Sequence, residues 1–213
     1  MLKILVLALA FFGFAIIPSV VTEPETPQAM AFHAARDHML KLLRDNQARA
    51  DAKAAEDAEL ARKKKAVDNL TTYLERKWKR PRTELSQIVA ICFSQSQQAW
   101  PKPLDVLAVI QVESGFNPKA RDSTSGSTGL MQINADSHNV TQIELEQPAK
   151  NLSWGIRLLR RYRKEMQSDS AALAAYNMGP AIAHVACSAD HSCETSYTVK
   201  VALAKQELTR HFH

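Results

Sequence analysis

Residues 103–118 read PLDVLAVIQVESGFNP, an apolar run that ends on a carboxylate. Proline suits the first turn of a helix, and Pro118 stops one from continuing. Counting back three, four and seven positions from Glu113 gives Ile110, Val109 and Val106, all apolar and all on one helical face. Glu113 therefore hangs from the buried side of the helix, in its last turn. Burial and the negative end of the helix dipole both disfavour a carboxylate there, and both raise its pKa. Those are the conditions for a proton donor near neutral pH. An ordinary solvated glutamate at a helix end has the same spacing, so spacing alone leaves both readings open.

The neighbouring segments repeat the helical period. TELSQIVAICFSQSQQ (83–98) precedes the run, and a Ser/Thr/Gly loop from Asp122 to Gly129 follows it. NLSWGIRLLRRYRKEM (151–166) predicts a strong helix with Asn151 as N-cap. SDSAALAAYNMGP (168–180) predicts another, capped by Ser168 or Asp169 and stopped by Gly179-Pro180. A last helix is expected from about Tyr197 to Leu208. No segment alternates convincingly, and there is no internal repeat. The fold class is therefore all-α, or α with minimal β, with the compact domain over 83–213.

Upstream, Phe32 to Lys79 contains neither Gly nor Pro and is dense in Ala, Lys, Arg, Glu and Asp. The composition favours helix, about 72 Å long if it forms one rod. Its apolar stripe holds at Phe32, Met39, Leu42 and Leu43 and returns at Leu60, Val67, Leu70 and Leu74, with only alanines between. That seam is short for a coiled coil, so residues 32–82 are expected to form a charged, solvated stalk, either one rod or broken in the middle, with a dimerising coil as the alternative. KWKRPR (77–82) reads as a solvated helix end, and no nucleic-acid partner is expected. Residues 22–31, with Pro24 and Pro27, read as a linker.

The first residues address the compartment. Lys3 precedes an unbroken apolar run from Ile4 to Ile17, closed by Pro18, and Glu23 and Glu25 follow it. Residues 1–31 are read as a signal peptide or as an N-terminal membrane anchor through residues 4–21, with linker. Either way the rest of the chain is exported. The 213 residues, 46% of them hydrophobic, suffice for one good core with an extension. The net charge of +5 points to an anionic partner.

Four short strings occur in one order. They are Glu113-Ser114 within VESGFNPKA, Gly129-Leu130-Met131-Gln132-Ile133, Ala175-Tyr176-Asn177-Met178-Gly179-Pro180, and the weaker Glu194-Thr195-Ser196-Tyr197-Thr198-Val199. In this order and spacing, over about 83–210, they resemble the lytic transglycosylases of the SLT-type, goose-lysozyme-like clan. The resemblance implies a lysozyme-like domain acting on peptidoglycan glycan strands, without cofactor or metal. It implies Glu113 as the single catalytic acid and base, releasing a 1,6-anhydromuramyl product. It further implies Ser114, Met131, Gln132, Tyr176, Asn177 and Tyr197 as substrate-binding or cleft-lining positions. Gln132 and Asn177 would bind sugar, and Tyr197, with Tyr176 as a second candidate, would donate a hydrogen bond to Glu113. Met131 also reads as core, and Tyr176 as an ordinary core tyrosine.

The chain departs from the family pattern at KARDSTSGSTG (119–129), one residue longer than usual, so Asp122 is the residue to watch. Goose-type lysozymes carry an aspartate where this chain has Asn134. Hydrolysis, with Asp122 or Asp136 aligning a water, is therefore the runner-up. A murein-binding or assembly part of a secretion, conjugation or phage machine, engaged through the stalk, is a reading of another class. Cys187 and Cys193 flank a short loop and are expected to pair in an oxidising compartment, with Cys92 a buried free thiol. Their spacing with His184 and His191 matches no common zinc site. Arg157, Arg160, Arg161 and Arg163 form a basic group near the expected cleft or a solvated helix face.

Overall fold

The computed structural model describes residues 26–96, 99–187 and 192–213. The leader segment, with Lys3, the apolar run and Glu23 and Glu25, lies outside them, as does His191. No helix among the described residues is long and apolar enough to cross a membrane.

Helix α1 runs unbroken over Pro27–Trp78. The helix already covers residues 27–31, the described end of the expected linker, and it has no break in the middle. Thr26 caps the start, its Oγ1 accepting from the Ala29 N–H at 3.3 Å, and Pro27 takes the first helical position, where its missing N–H does no harm. Arg76 and Lys77 sit in the last turn, where cations complement the dipole. The chain divides into two units, up to Ala54 and from Ala55 onward. In the first, the apolar side chains of Phe32, Met39, Leu42 and Leu43 are exposed.

The second unit is a helical domain of the lysozyme-like kind, and it begins inside α1 rather than near Thr83. Ala66, Leu70 and Leu74, spaced by four, are buried, so one stripe of the expected stalk belongs to the core. Arg82–Gln95 forms α2, which buries Leu85, Ile88, Val89 and Cys92. Pro103–Glu113 forms α3, buried on every side from Asp105 to Ile110. That makes it the central helix. The acid at its N-terminal end, Asp105, accepts from the Lys102 N–H at 2.8 Å and pairs with Lys205 at 2.6 Å.

After α3 come strands β1 (Ser127–Thr128) and β2 (Ile133–Asn134), antiparallel, with Ser127 opposite Asn134 and Thr128 opposite Ile133. Two single-turn helices follow, α4 (Ala135–His138) and α5 (Gln142–Leu145), capped by Asn134 and Thr141. Then α6 (Pro148–Met166), α7 (Asp169–Met178), α8 (Pro180–Ala186) and α9 (Ser196–His211) complete the domain. Helix α3 packs mainly on α9 and α2, and α6 on α7 and α2. Ser168, not Asp169, caps α7, accepting from the Ala171 N–H at 3.0 Å. The Asn151 cap is corrected: α6 starts three residues earlier at Pro148, and Asn151 lies inside the helix, fully buried.

Candidate active site

Glu113 is the last residue of α3, and the three residues that share its face, Ile110, Val109 and Val106, are fully buried. Its Oε1 accepts a hydrogen bond from the Tyr197 hydroxyl at 2.6 Å, across 84 residues of sequence. Burial raises the Glu113 pKa above its ordinary 4.5, and the Tyr197 bond pulls in the opposite direction without cancelling it. Tyr197, near the start of α9, is itself buried, and desolvation together with the charge of Glu113 holds its hydroxyl protonated. The tyrosine therefore stays a donor whether Glu113 is acid or carboxylate.

The turn after Glu113 is fixed from two sides. Ser114 Oγ donates to the Leu130 carbonyl at 2.7 Å, which ties the end of α3 to the β1–β2 turn. Gly115 has φ +55°, and a Cβ there would meet the Trp78 ring at 2.5 Å. Only glycine lets the turn pass so close beneath the end of α1. A second tie lies one turn earlier, where Gln111 donates to Glu207 at 2.7 Å. Glu207 also receives Lys77 and Tyr73. Burial pushes the Glu207 pKa up, but these donors outweigh it and bring it to about 2. One carboxylate of α9 thus clamps α1 to α3 just before the catalytic candidate.

Gly129–Gln132 is the turn of the hairpin. A Cβ on Gly129 would lie 2.2 Å from both the Leu145 carbonyl and the Asn151 amide, and its φ is +83°. Asn151 organises this turn: its Oδ1 accepts from the Met131 N–H at 2.8 Å, and its Nδ2 donates to the Thr128 and Leu145 carbonyls at 2.9 and 2.8 Å. Gln132 lines the cleft, with Nε2 donating to the Gly129 carbonyl at 2.9 Å and to that of Ala120 at 3.1 Å. Met131 does not reach the cleft. Its side chain is fully buried against Gly155, so its place among substrate-contacting residues is corrected to the core.

The cleft has a volume of about 710 Å³ and brings together Glu113, Asp122, Gln132, Tyr176 and Asn177. Tyr176 does not bond Glu113; its hydroxyl donates to the Met131 carbonyl at 2.7 Å, so it props the hairpin turn from α7. Asn177 is exposed at the cleft edge. Asp122 is held by the Thr124 N–H at 2.8 Å and the Ser125 hydroxyl at 3.0 Å, which lower its pKa and keep it charged. Asp136 is exposed on α4 and is not part of the cleft wall. Cys187 and Cys193 form a disulfide, and Cys92 is a buried thiol whose pKa burial raises. No cluster of metal-ligating side chains occurs among the described residues.

Sequence reasoning missed Asn151 as an organiser and missed Trp78, Leu158, Tyr162 and His138 near or in the cleft. The signal for Asn151 was Pro148, a better helix start three residues upstream. A family model described as Transglycosylase SLT domain matches residues 91–197, half of the chain, from the last part of α2 to Tyr197. No curated protein matches the chain.

Proposed function

Since the chain belongs to the transglycosylase SLT domain family, a family acting on peptidoglycan, we propose that it is a lytic transglycosylase cutting the β-1,4 bond between N-acetylmuramic acid and N-acetylglucosamine. The observation that supports this most is Glu113: a carboxyl with raised pKa, on the cleft wall, braced by a tyrosine donor. As an acid, Glu113 gives its proton to the glycosidic oxygen as the bond to the muramyl C1 breaks. As a carboxylate, it then takes the proton of the muramyl C6 hydroxyl, whose oxygen closes on C1. The proton count returns to its start and no water is consumed. The acetamido group of the sugar stabilises the anomeric centre, so a second enzyme carboxylate is not required, unlike in two-carboxylate glycosidases.

The surrounding residues have matching parts. Tyr197 keeps Glu113 oriented in both protonation states. Gln132 and Asn177 bind sugar groups, while Ser114 and Tyr176 hold the cleft in shape through the hairpin turn. We assign the residues before α1 to export, as signal or anchor, and the part of α1 before Ala55 to spacing or to envelope-machine partners.

Asp122 supports a second reading, because it is a charged carboxylate in the same cleft. If it aligns a water, the product is a reducing end. Digestion of purified sacculi and mass analysis of the muropeptide ends separate the two. Anhydro ends, lighter by one water, are expected; reducing ends would mean hydrolysis. Glu113→Gln should abolish the digestion, and retained digestion would remove Glu113 from the mechanism.

A further inference from the structure

Next to His138 and Tyr162, which line the cleft, α6 carries a row of cationic and aromatic side chains that the chemistry at Glu113 does not use. His138 lines the cleft, and its ring stacks on Trp154 of α6 with centroids 5.9 Å apart. The Arg157 guanidinium lies 3.7 Å from the centroid of the Trp154 ring, a cation–π arrangement. One turn further, Arg161 Nη2 donates to the Tyr162 hydroxyl at 3.2 Å, and Tyr162 lines the cleft. Residues 157 and 161 are four apart and so share a helix face.

The four arginines of this helix therefore divide by use. Arg160 donates to the Gln95 carbonyl and Arg163 pairs with Asp169. Arg161 meets Glu165 at 3.4 Å through Nε, and among the described residues no carboxylate pairs with Arg157. Both are exposed. A guanidinium has five donors, and an aromatic ring beneath it holds the fork in place, so less freedom is lost when an anion binds. His138 contributes a flat polar face rather than charge, since burial and then the fields of Arg161 and Arg157 lower its pKa. Asp122, held as an anion in the same cleft, repels a second anion there.

We propose that His138, Trp154, Arg157 and Arg161 form a carboxylate-binding rim that reads the acidic groups of the murein strand while the cleft holds its sugars. The proposal rests on the reading of the cleft as a glycan site. Two carboxylate sources exist on murein: the stem peptide where it is attached, and the lactyl group where the stem has been removed, since an attached stem takes the lactyl carboxyl into an amide.

The test is calorimetric binding by the full chain carrying Glu113→Gln, so that no cleavage intervenes. Three probes are used: stem-bearing murein strands, amidase-stripped strands that keep only the lactyl carboxylate, and a neutral chitooligosaccharide. The preference for murein over chitooligosaccharide should fall about tenfold or more when Arg157→Gln and Arg161→Gln are added, as expected for lost hydrogen bonds to a charged group. A fall seen with stripped strands assigns the lactyl group; a fall confined to stem-bearing strands assigns the peptide. An unchanged preference, in a double variant with the parent's unfolding midpoint, overturns the rim but leaves the glycan cleft standing. Failure of the parent to bind any of the three overturns both. Each single variant repeats the comparison should the double variant unfold early.

Discussion

At the level of single residues, the account turns on Glu113 and the group that touches it. Because burial raises the folded-state pKa above the unfolded 4.5, the native state holds its proton to higher pH. Stability from this group is therefore fullest below pH 4.5 and is lost as pH rises through the raised value. Glu113→Gln should accordingly raise the unfolding midpoint at pH 7, and the gain should vanish below pH 4.5; thermal scans across pH check this. Tyr197 works against burial, so Tyr197→Phe should raise the Glu113 pKa further. The basic limb of the pH–rate profile then moves to higher pH as turnover falls, whereas a merely structural tyrosine would leave the limb in place. The helical face of Glu113 was legible in the sequence, since spacing of three, four and seven needs no tertiary knowledge. The Tyr197 bond was expected only through resemblance, because no local pattern links residues 84 positions apart.

Among the elements, the β1–β2 turn shows what a periodicity reading misses. Two-residue strands and single-turn helices are too short to repeat a pattern, so β1, β2, α4 and α5 left no trace, although they carry Gln132 and His138 to the cleft. Asn151 was misplaced for a physical reason. A buried amide with three partners and a capping amide look alike in sequence, and both precede an apolar-periodic run. Asn151→Ala strands the Met131 N–H and two carbonyls in the core, at a cost of about 2–3 kcal/mol. Denaturant unfolding should read that loss. Catalytic efficiency should fall with it, because the same turn carries Gln132 and receives Ser114 and Tyr176.

For the whole molecule, the boundary between extension and domain depends on which side of α1 is considered. Composition marks the entire helix as a charged stalk, yet Leu70 and Leu74 are fully buried and Trp78 lies over the turn after Glu113. Each buried leucine contributes about 1.5–3 kcal/mol, a large share of a typical domain's net stability. A chain starting at Ala55 should unfold in one cooperative transition, while one starting at Thr83 should melt much lower or without a transition; circular dichroism distinguishes them. Equal midpoints would return the last turns of α1 to the stalk. The central claim is that Glu113 is a proton donor by virtue of where α3 places it. Carbon-detected NMR titration of its carboxyl in the full chain tests this most directly. The account predicts an inflection above 4.5, and an inflection at or below 4.5 would contradict it.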